Sequence, residues 1–99
     1  MMTFGPAQHY FLHSEPTDMR KSFDGLCALV QAGLGRSPLS GDVFVFLNRR
    51  RSHIKLLVWD RNGFVLYYKR LEEGTFERPA SGSLTWPQVM LLLEGVSLA

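Results

Sequence analysis

The spacing of apolar residues predicts one short strand and then a helix in the first third of the chain. Residues 8–13 (QHYFLH) are typical of a short strand. Apolar residues then recur at intervals of four, three, four and four, which places them on one helical face: Met19, Phe23, Leu26, Val30 and Leu34. Thr17 is the predicted N-cap, Asp18 lies in the first turn, and the glycines that surround Leu34 end the helix.

From residue 42 onward the pattern changes to strands rich in β-branched and aromatic residues. Three segments have this composition and are predicted to pair as an antiparallel meander: DVFVFL (42–47), HIKLLVWD (53–60) and GFVLYYKRL (63–71). The first two are joined by a looser polar loop, NRRRS (48–52). A fourth short strand is predicted at residues 75–77, after the turn sequence EEG.

The dipeptide Asn62-Gly63 predicts a tight hairpin turn between the second and third segments. A type I′ turn needs positive φ at both central positions, and Asn-Gly is a favoured pair there. This register predicts three cross-strand pairs: Trp59 with Leu66, Leu57 with Tyr68, and Lys55 with Arg70. The last pair sets two like charges directly opposite each other, which destabilises a sheet unless an anion or acid lies nearby.

A second helix is predicted near the end of the sequence. Thr85 and Gln88 have the spacing of a capping box, and Pro87 lies in the first turn, where its missing N–H is harmless. Gly95 ends this helix. Its predicted buried face contains four residues: Trp86, Val89, Met90 and Leu93. The order of elements predicts one α+β domain over residues 1–99, an antiparallel β-meander of three to five strands packed with two helices.

The central predicted strands are apolar on both sides. In the segment HIKLLVWD, Ile54, Leu56 and Val58 face one side, and Leu57 and Trp59 face the other. Strands of this kind are normally covered on both faces. Two arrangements satisfy this requirement. The helices lie on opposite faces, or both lie on one face and leave the other to a partner protein.

The charge of the chain is concentrated in its centre. The length of 99 residues, with 45% apolar and 20% charged side chains, is typical of one globular domain. Residues 49–78 carry eight basic and four acidic side chains, a balance of +4, although the whole chain is only +2. Residues 1–48 carry three basic and four acidic ones, and residues 79–99 carry one acidic one. A modest net charge therefore conceals a basic centre.

Other features argue against a secreted or membrane protein. The single cysteine, Cys27, excludes an internal disulfide, fits a reducing compartment and is expected to be a buried thiol. The first residues lack the basic and apolar regions of a signal peptide. No apolar run approaches the roughly 20 residues of a membrane span. These features predict a soluble, cytoplasmic protein with no membrane partner.

No arrangement of residues indicates catalysis, a cofactor or a metal site. On a strand, His9 and His13 would share one side at about 13 Å, too far apart for one metal ion. Asp18, Asp24 and Asp60 lack the pattern of a metal-binding triad. The first two are expected to cap or to pair with nearby cations. We therefore expect no enzyme.

A set of motifs in fixed order resembles the TnpB-type accessory protein of the insertion sequence 66 family of bacterial transposons, which the second open reading frame of these elements encodes. The resemblance covers about residues 17–94. It rests on Asp18-Met19-Arg20-Lys21, Asp24-Gly25-Leu26, Ser40-Gly41, Phe44-Val45-Phe46, Arg50-Arg51, Lys55, Trp59-Asp60, Gly63, Lys69-Arg70-Leu71-Glu72 and Gly74. Ser22 departs from the usual glycine, and RRRSHIK (49–55) lacks the acidic residue that often follows the arginine pair. The resemblance implies a role in transposition beside a separate, larger transposase, and it implies no reaction.

Eight cations are the candidate DNA-binding residues: Arg20, Lys21, Arg49, Arg50, Arg51, Lys55, Lys69 and Arg70. Several of them occupy positions that are unfavourable for folding alone, since adjacent arginines repel and cations in a first helical turn oppose the macrodipole. A phosphate-binding surface would explain these placements. The alternative is a solvated basic face with local ion pairs to acidic neighbours. Four nearby aromatic residues are expected in the core, or else stacked on unpaired bases: Trp59, Phe64, Tyr67 and Tyr68.

Two functions remain open at this point. The first is a non-catalytic accessory protein of transposition that binds DNA, with the transposon ends as the natural target, and assists the transposase and other accessory proteins. The second is a protein-interaction module that docks on the transposase or forms a homo-oligomer without contacting DNA.

Overall fold

A five-stranded mixed sheet with one helix on each face is the framework of the protein. The computed structural model describes residues 4–96. Its elements are β1 (Tyr10–Leu12), α1 (Phe23–Leu34), β2 (Val43–Leu47), β3 (His53–Asp60), β4 (Gly63–Arg70), β5 (Ser83–Leu84) and α2 (Trp86–Leu93). The predicted α+β class is confirmed. Within the described part of the chain, no helix is long and apolar enough to cross a membrane.

The purely antiparallel arrangement predicted for the sheet is wrong, because β1 runs parallel to β2. Tyr10 lies beside Val43, and Leu12 lies beside Val45. Parallel neighbours need a crossover connection of a dozen or more residues, and α1 provides it. The other strand pairs are antiparallel, and the order across the sheet is β4-β3-β2-β1-β5.

The two helices cover opposite faces of the sheet. On the α2 side, Val89 and Leu92 join a buried cluster that includes the strand residues Val45, Leu56 and Val58. On the α1 side a second cluster contains Leu26, Val30, Phe44, Phe46 and Leu57. Successive strand residues alternate between these clusters, as the pleat requires. The arrangement with both helices on one face is therefore excluded.

The hairpin between β3 and β4 has a different register from the predicted one. Asp60 pairs with Gly63, so Arg61 and Asn62 form the turn, and Arg61 takes the left-handed conformation with φ of 57°. All three predicted pairs shift by two positions: Trp59 faces Phe64, Leu57 faces Leu66, and Lys55 faces Tyr68. A shift of two leaves every side chain on its predicted face, so the apolar pattern alone cannot distinguish the registers. The observed one avoids the repulsive pairing of Lys55 with Arg70.

α1 begins later than predicted, and Thr17 is not its N-cap. Ser22 occupies that position without a side-chain hydrogen bond. The segment before the helix instead follows β2, since His13 N–H donates to Val45 O at 3.0 Å and Thr17 N–H donates to Leu47 O at 2.8 Å. Residues 13–17 thus run beside β2 with a bend at Ser14 and Glu15, and Arg20 and Lys21 precede the helix rather than lie in its first turn.

α2 follows the prediction closely at its start. Both halves of the capping box between Thr85 and Gln88 are formed, and Gly95 has a positive φ of 72° after the last turn. The predicted buried face is partly wrong, because Val89 and Leu92 are buried whereas Met90 is 44% exposed.

No strand forms at the predicted residues 75–77. This segment packs through Phe76, which is fully buried and donates its N–H to Arg51 O at 2.7 Å. The fifth strand is instead β5, which pairs with β1 at the opposite edge of the sheet from β4.

Replacing a buried leucine on either face of β3 should destabilise the fold. We expect Leu56→Ala and Leu57→Ala each to lower the free energy of unfolding by about 2–5 kcal/mol, because each leaves a cavity against a helix. Urea denaturation followed by circular dichroism measures both values. Val65→Ala, at a position 39% exposed, is the control and should cost less than about 1 kcal/mol. A cost for Leu57→Ala as small as the control's would mean that α1 does not cover its face.

Candidate nucleic-acid interface

The arginine triplet lies in the loop 48–52, and the side chain of Asn48 organises this loop. The Asn48 Oδ1 atom accepts hydrogen bonds from the N–H groups of Ser52 at 2.9 Å and His53 at 3.0 Å. Its Nδ2 atom donates to Ser52 Oγ at 3.0 Å. Arg51 N–H donates to Asn48 O at 3.1 Å, and Arg51 has a φ of 56°. One side chain thus closes the loop, in which Arg49 and Arg50 are exposed.

The three arginines have no acidic partner in the described part of the chain. Arg49 and Arg50 are exposed, and Arg51 is half-buried. Among residues 4–96, the ion pairs within 4.0 Å are Arg20 with Asp18 and Arg70 with Glu72. No acidic side chain among residues 4–96 therefore pairs with the charges of the loop at close range.

The segment 17–21 lies beside this loop. A cavity of about 270 Å³ is lined by Pro16, Thr17, Asp18 and Arg49, so the chain before α1 and the arginine loop meet at one end of the sheet. Arg20 is almost fully exposed and donates to both carboxylate oxygens of Asp18, with a shortest contact of 2.6 Å. Hydrogen bonds from the Arg20 side chain and N–H lower the pKa of Asp18 to about 2. Asp18 therefore stays ionised and partly neutralises Arg20.

Lys55 is inside the protein rather than on the predicted surface. It is only 4% exposed, and its Nζ atom donates to Met19 O at 2.8 Å and to Lys21 O at 2.7 Å. Nζ also lies 4.5 Å from the centroid of the Tyr68 ring. Burial lowers the pKa of Lys55, and the nearby Asp18 opposes this effect. The ammonium group holds the segment before α1 against the sheet, so it is not available to a phosphate.

Lys69 is separated from the other candidates by the pleat of β4. It pairs with Ile54 on the α2 side of the sheet, and its Nζ atom donates to Leu93 O at 2.7 Å. A cation at the last carbonyl groups of a helix is favourable to the helix dipole. Lys69 therefore stabilises the end of α2 and does not belong to the surface around the arginine loop.

Arg70 lies on the α1 side and extends the basic surface. It pairs with His53, the residue that follows the arginine loop, and its Nη2 atom lies 2.9 Å from Glu72 Oε1. Both side chains of this ion pair are well exposed, so it contributes little to stability. We use the term basic end for the six cations gathered here: Arg20, Lys21, Arg49, Arg50, Arg51 and Arg70.

Two residues of this region, Asn48 and His53, were not among the predicted site residues, whereas Tyr68 was expected in the core or stacked on a base. Asn48 closes the loop, and His53 and Tyr68 join Arg70 in lining a cavity of about 160 Å³. The alternation of β3 and β4 could have placed His53 beside Arg70, but only in the observed register. The Asn62-Gly63 dipeptide had instead predicted the register that is shifted by two residues.

The other candidate chemical groups are dispersed. His9 is exposed, whereas His13 is buried, with its pKa lowered by burial. Cys27 is half-buried against the α1-side cluster, and burial raises its pKa. Among the residues that the structure describes, no group of three or more His, Cys, Asp or Glu side chains is arranged to hold a metal ion.

Comparison with known proteins decides the family. Residues 8–99 match the family described as "IS66 Orf2 like protein". The chain belongs to this family. Its members are accessory proteins of IS66 transposition, so the chain has an accessory role in transposition.

Two relatives of this IS66 Orf2-like protein come from Sinorhizobium fredii (strain NBRC 101917 / NGR234). The uncharacterized protein y4hO is 33% identical over 100 residues, which cover 97% of this chain and 87% of y4hO. The uncharacterized protein y4jC is 39% identical over 66 residues, which cover 67% of this chain and 56% of y4jC. No solved structure matches this family member.

Removing the Lys55 ammonium should destabilise this IS66 Orf2-like protein. Lys55→Met keeps the aliphatic stem but leaves the carbonyl groups of Met19 and Lys21 without their donor. We expect the free energy of unfolding to fall by about 1–3 kcal/mol. Chemical denaturation measures this free energy. The matched control is Lys21→Met at an exposed position, which should lower it by less than about 0.5 kcal/mol. Equal effects of the two changes would contradict the structural role of Lys55.

The Asp18 carboxyl should titrate with a pKa of about 2, below its ordinary 3.8. Because the pKa of Asp18 is lower in the folded state, its ionised carboxylate stabilises the fold at a pH above the ordinary pKa of 3.8. This contribution is lost as the pH falls through about 2. Arg20→Ala should move the pKa back toward 3.8, although not completely, because the N–H of residue 20 remains. Carbon-13 NMR titration measures the shift, with Arg36→Ala as the remote control. An unchanged Asp18 pKa in Arg20→Ala would show that the pair does not form in solution.

Proposed function

We propose that the protein binds DNA through the basic end while it assists a separate transposase, and that it catalyses no reaction itself. It acts as a single α+β domain in the bacterial cytoplasm, where the ends of the element are the natural target. The observation that carries this proposal is the arginine triplet, which projects from a loop closed by Asn48 and has no acidic partner among residues 4–96.

The charge and the backbone conformation of this loop are unfavourable for folding, which supports an anionic partner. Adjacent guanidinium groups repel one another, and Arg51 in addition takes a left-handed backbone conformation that non-glycine residues seldom adopt. A surface turn needs only polar residues. Phosphate groups would relieve the repulsion, and the planar fork of arginine suits their oxygen atoms. The loop is therefore better explained by binding than by solubility.

The six cations of the basic end are not equivalent. Arg20 and Arg70 each hold a carboxylate, which a phosphate must displace or share. Lys21, Arg49 and Arg50 are exposed and free of such partners within the described residues, so their charges are fully available. We therefore assign most of the phosphate binding to the loop and to Lys21.

A second candidate function is docking on the transposase or on a second copy of the chain. One observation favours it, because the eight-residue strand β4 is an edge of the sheet and has one neighbour, β3, among the described residues. An exposed edge strand can pair with a strand of another chain. An exposed sheet face no longer favours this function, because a helix covers each face of the sheet.

Removing two exposed arginines of the loop should weaken DNA binding. Fluorescence anisotropy with a labelled duplex at increasing salt gives a log–log slope of about −0.9 for each phosphate contact. We expect Arg49→Ala/Arg50→Ala to reduce the magnitude of that slope by about 1.8, because two contacts are lost. Neither side chain makes a hydrogen bond within the described chain, so the fold should be retained.

The matched control is Arg36→Ala/Arg61→Ala, which removes the same charge from the opposite end of the sheet. Arg36 stacks on Phe11 near the start of β2, and Arg61 lies in the β3–β4 turn. An equal reduction of the salt slope in both double variants would mean that DNA binding depends on net charge and not on the basic end. If the folded wild-type protein binds no DNA at low salt, the DNA function fails, and docking on the transposase becomes the leading function.

A further inference from the structure

We propose that Tyr68 is a stacking platform for an unpaired base, so that the basic end prefers single-stranded DNA or a frayed end to intact duplex. This inference rests on the proposed DNA binding and deepens it, since it names the form of DNA that is bound. It depends on the exposure of one aromatic side chain, on the cavity beside it, and on the cations around that cavity.

Tyr68 differs from the other aromatic residues of the β3–β4 hairpin. Trp59 and Phe64 pack edge to face at 5.0 Å between ring centroids, and Tyr67 packs on the α2 side against Phe4. Tyr68 belongs to neither buried cluster and is 52% exposed. A half-exposed ring gains less free energy from burial than a core ring does. Core packing therefore does not explain why a tyrosine stands at position 68.

The ring is held in place by its neighbours on the same face of the sheet. Lys55 Nζ lies 4.5 Å from the ring centroid, and the His53 ring lies 5.8 Å away at an angle of 39°. Because Lys55 is itself fixed by two backbone carbonyl groups, it limits the movement of the tyrosine. A platform held in this way loses less conformational entropy when a base stacks on it.

The cavity beside Tyr68 has the size of a single aromatic ring. His53, Tyr68 and Arg70 line a cavity of about 160 Å³. A cavity of about 150 Å³ in another protein accommodates one benzene molecule. The space therefore admits the six-membered ring of one base. A base inside a duplex is stacked on both faces and paired along one edge, so only an unpaired base can enter.

The cations around the cavity can bind the phosphate groups of the DNA strand that carries the stacked base. Arg70 lines the cavity, and Ser52, the last residue of the arginine loop, directly precedes His53. A base on Tyr68 would bring its own phosphate near Arg70 and the neighbouring phosphates near the loop. Aromatic platforms beside cations are the usual construction of sites that bind single strands without reading their sequence.

The test compares a labelled oligothymidine strand with a duplex of equal length by anisotropy at one salt concentration. We expect Tyr68→Ala to weaken single-strand binding about 5- to 150-fold, the range for loss of one base–aromatic stack. Tyr68→Phe keeps the ring and should stay within about twofold of wild type. Duplex binding should change less than about twofold in both variants. Leu39→Ala, at an exposed apolar position on the opposite end of the sheet, is the control for nonspecific effects.

A second measurement identifies the contact directly. A strand with one 5-iododeoxyuridine is irradiated with the wild-type protein, and the cross-linked peptide is identified by mass spectrometry. A cross-link at Tyr68 supports the inference. A cross-link confined to other residues overturns it, even if the single strand binds tightly.

The two proposals fail in different ways. If Arg49→Ala/Arg50→Ala loses binding while Tyr68→Ala binds the single strand as wild type does, the stacking platform is wrong and the DNA function stands. If single strand and duplex bind equally well and no cross-link forms at Tyr68, the preference is likewise wrong. If folded wild-type protein binds neither form, both proposals fall.

Discussion

Burial of both faces of β3 is the constraint on which the rest of the structure depends. Leu56 and Leu57 are adjacent in sequence and point in opposite directions, and both are completely removed from water. Each face therefore needs its own helix, because a single layer would leave one row of apolar side chains in solvent. α1 can cover its face only as a crossover between two parallel strands, β1 and β2. This crossover brings the chain before α1 past the end of β2 and next to the arginine loop.

The basic residues divide according to what their head groups can do. Lys55 and Lys69 extend aliphatic stems along the sheet and donate to the backbone carbonyl groups of Met19, Lys21 and Leu93. A compact ammonium group with three donors suits this task. The arginines instead remain outside, where their planar heads can exchange a carboxylate or water for another anion. The predicted set of eight cations therefore contains two structural lysines and six surface cations.

The β3–β4 register connects the fold with the proposed binding surface. A shift of two residues changes no burial, yet it decides which side chains are neighbours across the strands. In the observed register Tyr68 faces Lys55, and Arg70 faces His53, so an aromatic ring, an imidazole and a guanidinium surround one cavity. In the predicted register Lys55 would have faced Arg70 instead. Electrostatic repulsion and the cation–aromatic contact favour the arrangement that the protein adopts.

The sequence by itself determined the α+β class, the three long strands, the capping box of α2 and the family, because these depend on local periodicity, on neighbouring residues and on ordered motifs. It also identified the arginine loop as unusual. Only the tertiary structure decided that β1 is parallel to β2, that the Thr17 N–H donates to Leu47 O, and that Lys55 is buried. Each of these depends on a partner distant in the chain: the carbonyl groups that hold Lys55 belong to residues 36 and 34 positions away. Local patterns describe what a segment favours, whereas the partner of a polar group is chosen by the packing of the whole domain.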